Sequence, residues 1–236
     1  MPALPPPLAA AFLMGTVGGA KRERTQAQLL YAAVQVFAGG GVGSATMQQI
    51  AQAAGVTTAT LYNHFSTKEE LVVRLAAAIA GTLCKAIDDS YGHIADGAER
   101  MAIGQRRYVW LAAESPGWAL MLLEVIAAAP EVLAQVQAYP LKDLRVGVRQ
   151  KKFKVPSEAA ALDAINGICI QAMRRVATGR APAHHDVAAA AMVLRALGVP
   201  PDQAAEIAKR PLPPLPEPQP PEAARPRATK VAQRRA

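Results

Sequence analysis

Cysteine is nearly absent. Cys84 and Cys169 are the only two in 236 residues, which excludes a disulfide framework, and no C-x-x-C spacing offers a metal cage. A reducing cytoplasm fits this usage. Aromatic residues are scarce, at 5%, so a core must come from aliphatic side chains and alanine. No apolar run reaches the ~18 residues that a membrane span needs. The stretch from Leu8 to Val17 is apolar but follows three prolines without a basic leader, so it does not read as a signal peptide. Met14 is an alternative start. Strict alternation of β-branched residues is missing, which argues against strands. Also missing are G-x-S-x-G, P-loop, H-E-x-x-H and dinucleotide fingerprints, so no enzyme and no cofactor are indicated. His184-His185-Asp186 is the one hint of a metal-dependent enzyme. Adjacent side chains do not share a helical face, however, so the triplet is a poor chelate and reads as a helix start, with no metal.

What the chain does have is helix-forming apolar residues. The hydrophobic share is 51%, dominated by alanine, whose side chain loses no rotamer entropy in a helix. The expected fold class is all-α. The formal charge of +8 favours anionic partners, but it is unevenly placed. Residues 142–154 hold six basic side chains against Asp143, and 209–236 hold seven against Glu217 and Glu222. The remainder is near neutral, and these two segments read as a solvated loop and a solvated tail.

Helical punctuation is clear along the chain. Leu30, Ala33, Val34 and Phe37 share one face of a first helix, which Gly39-Gly40-Gly41 ends. Thr46 with Gln49 forms a capping-box spacing ahead of Met47, Ile50, Ala51 and Ala54. Gly55 breaks that helix, Thr57 caps a shorter one, and Ser66 with Glu69 is a second capping-box spacing that opens a long helix through Ile79. Further helices are expected over 101–113, 118–128, 131–138, 157–177, 186–197 and 202–209. From Pro211 the density of proline forbids a helix, and a disordered tail is expected. The domains are therefore 1–20 (disordered extension), 21–75, 76–210 and 211–236 (Pro-rich basic tail).

The informative segment is 46–68. Two short helices around a glycine turn are a helix-turn-helix layout, whose second helix enters the major groove of DNA. That helix would be 57–64, with Leu61 and Phe65 turned inward. Its threonines offer a hydroxyl and a methyl for base edges, and Tyr62 and His64 can reach phosphates. Lys68 adds charge for the same backbone.

The run 50–71, IAQAAGVTTATLYNHFSTKEEL, resembles the signature of the TetR/AcrR family of transcriptional regulators, and 29–41 is similar to that family's first helix. The resemblance covers about 24–75. It implies a three-helix DNA-binding domain followed by a C-terminal helical domain that binds a small-molecule effector and forms a homodimer; effector binding releases the operator. Transcriptional repression, with no membrane role, is the implied function. By position it makes Thr46, Thr57, Thr58, Thr60, Tyr62, Asn63, His64 and Lys68 the DNA-contact residues. Lys21, Arg22 and Arg24 fall where some relatives place an N-terminal arm.

Two short recognition helices on a two-fold operator give the affinity that one cannot, which also favours a dimer, built on the helices near 157–177 and 186–197. For the effector, Tyr108, Trp110, Trp118, Met121, Leu122, Glu124, Val125 and Tyr139 cluster in the central helices and could line a pocket; the competing reading is plain core. The other functional class is a nonspecific DNA-coating protein driven by the basic tail.

Overall fold

The structure, a computed structural model, describes residues 20–215. The expectations for the N-terminal extension, Met14 and the tail beyond 215 lie outside the described residues. Within them the chain forms eleven helices and no strand: α1 (Lys21–Ser44), α2 (Met47–Ala53), α3 (Thr58–Tyr62), α4 (Lys68–Tyr91), α5 (Gly97–Glu114), α6 (Pro116–Ala128), α7 (Glu131–Val136), α8 (Ala138–Arg149), α9 (Glu158–Ala177), α10 (His185–Ala196) and α11 (Pro201–Lys209). No single helix among the described residues is long and apolar enough to cross a membrane.

Helices α1 to α3 form a small head. Leu29, Phe37, Ile50, Leu61 and Phe65 fill its core and are essentially fully buried. The glycine run does interrupt α1, at Gly41 (φ 82°, ψ 164°), after which one further turn leads to Ala45. Gly55 makes the turn between α2 and α3 at φ 66°, a left-handed conformation that costs glycine little. Gln28 of α1 donates from Nε2 to the Ala54 carbonyl at 2.7 Å, closing a chain end that the α2 helix leaves unsatisfied.

The expected cap at Ser66 is corrected by one residue. Thr67 is the N-cap of α4 and accepts from the Glu70 amide at 3.1 Å. The Glu70 carboxylate reaches back to the Ser66 amide at 2.8 Å, because Phe65 must first turn into the head core.

The long α4 joins head to body, so the expected boundary at 75/76 falls inside it. Leu71, Leu75, Ile79 and Leu83 run along one face into the head cluster, which continues through Ile103, Leu111, Trp118 and Met121. Ala76 and Ala80 lie in a second cluster with Leu122, Leu123, Cys169 and Met173. A third cluster unites α5, α8, α9, α10 and α11.

Three expectations for the body change. Helix α5 starts earlier than residue 101, because the Asp96 side chain caps it by accepting from the Ala98 amide at 2.9 Å. Pro140 does not stop a helix: it sits in the first turn of α8, where a missing amide costs nothing. The basic segment is consequently helix α8 and its end rather than a loop. It is also paired, through Lys142–Asp88 (2.8 Å), Arg145–Glu158 (2.7 Å) and Lys152–Asp96 (2.5 Å).

The α5–α8 crossing is unusually close. A Cβ on Gly97 would lie 2.5 Å from the Gly147 nitrogen, and one on Gly147 would lie 2.2 Å from the Phe153 ring. The start of the Pro-rich segment is likewise placed. Residues 211–215 run along α5 with Leu212 and Leu215 packed on the head cluster, Arg106 donating to the Arg210 carbonyl (2.7 Å) and Arg107 to that of Pro213.

Candidate functional site

Helix α3 is short, and its start is capped by Thr57. Thr57 Oγ1 accepts from the Thr60 amide (3.1 Å) and pairs with Thr60 Oγ1 (2.9 Å). Thr46 makes both halves of its capping box with Gln49. The hydroxyls of Thr46, Thr57 and Thr60 are therefore already engaged in helix starts. Thr58, Asn63 and the half-exposed Tyr62 (50%) project to solvent, while Leu61 and Phe65 face inward. Thr58 and Tyr62, four residues apart, share one face of α3. His64 is partly buried, its ring 6.4 Å from that of Phe65.

Lys68 is placed differently from the other candidates. Its ammonium donates to the carbonyls of Val42, Gly43 and Ala45 at 3.1, 3.3 and 3.2 Å. Those carbonyls belong to the broken end of α1 and the turn into α2. The three donors of the ammonium thus close a chain reversal inside the head. Lys21, Arg22 and Arg24 are exposed in the first turn of α1, helical rather than an extended arm.

The body holds a partly open cavity of about 70 Å³ between α4, α5, α6, α7, α8 and α9. Among the eight central residues singled out for a ligand site, Tyr108 and Leu122 line it. Trp118 and Met121 pack into the head cluster, Val125 into the core beside the cavity, and Glu124 faces solvent because it lies on the outer side of α6. Trp110 lines a surface groove with Arg106 and Leu212 instead. Tyr139 lines a smaller chamber of about 30 Å³ next to the cavity.

Tyr108 and Cys84 are hydrogen-bonded at 2.6 Å. Burial pushes the Cys84 thiol up to about 11, against the pull of that bond, and the Cys169 thiol up to about 12. Both are neutral, unreactive thiols at physiological pH. Burial and Cys84 together raise the Tyr108 hydroxyl. Groups of three or more metal-ligating side chains are absent among the described residues, and His184-His185-Asp186 starts α10, with Asp186 paired to Arg106 at 2.8 Å.

Sequence reasoning missed Gln28, Gln105 and the buried set Tyr91, Arg100 and Asp143. Their partners lie 12 to 52 positions away or are lacking, so no local pattern marks them.

Comparisons with known proteins agree with this geometry. Residues 29–75 match the description "Bacterial regulatory proteins, tetR family", and 96–210 match "Tetracyclin repressor-like, C-terminal domain". The chain is 31% identical over 117 residues to the HTH-type transcriptional activator FasR of Mycolicibacterium smegmatis, covering 49% of this chain and 53% of that protein. It is 41% identical over 58 residues to the HTH-type transcriptional regulator SrpR of Pseudomonas putida, covering 25% of this chain and 27% of that one. The chain thus spans about half or less of these relatives. Among solved structures, RolR in complex with resorcinol superposes with a TM-score of 0.70 at 26% identity, covering 83% of this chain and 98% of that one. FadR from Bacillus subtilis in complex with stearoyl-CoA shares the fold, with a TM-score of 0.59 at 19% identity over 72% of this chain and 97% of that one. With one family description on the head and another on nearly all of the body, the chain belongs to the TetR family of bacterial regulatory proteins.

Proposed function

We propose that this protein is a dimeric, sequence-specific DNA-binding regulator of transcription that leaves its operator when a small molecule enters the body cavity. The observation that carries the reading is α3, whose capped start holds Thr58, Tyr62 and Asn63 outward on a packed head. Thr58 reads base edges; Tyr62, Asn63 and His64 hold the phosphate backbone. Thr46, Thr57 and Thr60 shape the helix ends and add contacts through whatever hydrogen-bonding capacity their caps leave. The regulator works in the cytoplasm and the reading assigns it no catalysis.

A homodimer is favoured by the face of α9 and α10, where Met192 is 51% exposed beside a shallow, mostly apolar groove. The small-molecule ligand named for RolR supports an effector of some kind. Repression is our assignment of sign. The naming of FasR as an activator favours the opposite sign, and a reporter fused to the regulated promoter decides: deletion of the regulator should raise transcription, and a fall would establish activation.

The direct test is binding to the chain's own upstream DNA and to a scrambled duplex across a salt series. A preference on the order of 10³-fold or more for the true site is expected, and it should survive truncation at Pro211. Equal binding to both duplexes, lost on truncation, would replace this reading with nonspecific coating by the basic tail.

Lys68 gives a sharper measurement within that assay. Because its ammonium already closes the α1–α2 turn, Lys68→Met should lower stability by roughly 2 kcal/mol, the scale of charged hydrogen bonds. Operator affinity should fall with the salt slope unchanged. A slope reduced by about one, with stability intact, would instead make Lys68 a phosphate contact.

A further inference from the structure

The cavity carries information about what it accepts. Its wall is aliphatic for the most part, including Leu122, Leu133, Ile165 and Met173; the amides of Gln105, Gln137 and Asn166 also line it, and no charged side chain does. Gln105 of α5 stands on the wall shared with the smaller chamber. That side chain is 4% exposed, and its carbonyl Oε1 is buried with no hydrogen-bond partner among the described residues. Buried carbonyls without partners are rare, because the hydrogen bonds given up to water are not replaced. The neighbouring Tyr108 hydroxyl pairs with the Cys84 sulfur at 2.6 Å and makes no hydrogen bond to Gln105.

We infer that the cavity binds an uncharged, compact apolar molecule carrying a hydroxyl group, which donates to Gln105 Oε1. This rests on the effector reading above and specifies its chemistry. An anion is disfavoured because it would be buried with no cation on the wall to compensate it. A purely apolar molecule would fill the space and leave Oε1 unsatisfied. The first chamber, about 70 Å³ with one of about 30 Å³ behind Gln105, Tyr108 and Pro140, is smaller than the ~150 Å³ that holds a benzene ring, so a single six-membered ring is the upper limit of size and enters only as the wall yields. Met173, unbranched and adaptable, is the wall residue best able to yield to it. Residue Gln105 acts here as a specificity determinant: it distinguishes ligands of one shape by the presence of a donor, as sites with an unpaired buried acceptor do.

The test uses three probes of similar shape on the full chain, without DNA: phenol, toluene and benzoate, titrated calorimetrically. Phenol should bind about tenfold more tightly than toluene, the cost of leaving one buried acceptor unpaired. Benzoate should bind more weakly than both. In Gln105→Met the advantage of phenol over toluene should vanish while toluene binding persists. The inference is overturned if toluene equals phenol, if benzoate matches phenol, if neither phenol nor toluene saturates, or if the variant keeps the preference. Should the variant not fold, the ranking on the unaltered protein decides alone. Operator release is measured separately. Probes that rank as expected yet leave operator affinity unchanged would preserve the cavity chemistry and reject the effector reading.

Discussion

Replacing Asp143 by alanine should destabilise the protein by about 3–5 kcal/mol, as removing one partner of a buried ion pair does. Asp143 is 3% exposed and accepts from Tyr91 Oη at 2.6 Å and from Arg100 Nε at 2.7 Å. Arg100 is itself buried, its guanidinium 4.9 Å from the centre of the Tyr91 ring. After the substitution it would keep only the longer contact to Asp88, at 3.3 Å, an acceptor already shared with Lys142. The loss comes from stranding a buried cation, not from the intrinsic worth of the pair. A triple substitution, Arg100→Met and Asp143→Leu with Tyr91→Phe to remove the hydroxyl that donates to Asp143, should therefore recover most of it. Urea unfolding at neutral pH measures both. A single-variant loss below about 1 kcal/mol would show that Asp88 suffices as partner.

The same group should give a pH signature. Burial holds the Asp143 carboxyl above its usual range, against hydrogen bonds from Tyr91 and Arg100. A carboxyl whose folded value is raised contributes stability that is full below the unfolded value and is lost as pH rises through the folded one. The unaltered protein should thus gain relative to Asp143→Asn as pH falls through that window.

The legible parts of this molecule were those written in local pattern. Thr46 and Thr57 cap the helices they announce, and Gly55 turns where its neighbours require a left-handed residue. The head could be read because capping, turn and apolar spacing all fall within residues 30–69 and a family signature overlies them. The body could not be read so fully. Trp118 and Met121 share the composition of cavity residues, and only their place in the cluster that continues from the head into the body distinguishes them. Gln105 has no sequence signal at all, since its distinction is a missing partner. Residues 142–154 looked like a solvated run because charge dominates the composition, yet their partners lie on α4, on α9 and in the loop before α5. Proline at 211, 213 and 214 correctly forbids a helix, but an extended segment can still be held in place, and Arg106 and Arg107 hold this one by its carbonyls.

Phe65→Ala should cost about 3–5 kcal/mol and abolish specific DNA binding, the scale expected for emptying a large buried ring site. Phe65 is 1% exposed and seals the head where α3 gives way to α4. Its cluster does not end at the head: through Leu71, Leu75 and Ile79 it reaches Leu111 and Trp118 in the body. A core shared in this way predicts one cooperative transition, in the unaltered protein and in the variant. Trp118 makes the point measurable in a Trp110→Phe background, because its fluorescence reports the body end of the cluster while far-UV dichroism reports all helices. Coincident midpoints, both shifted in Phe65→Ala, are expected. If the dichroism instead showed an early step that the fluorescence lacked, the head would be an independent unit. The difference bears directly on regulation. Ala80 of α4 lines the cavity, and Leu75 and Ile79 of the same helix lie in the head cluster. In a single packed core, a ligand that displaces α4 must displace the head as well, since close-packed interiors shift between arrangements rather than absorb strain.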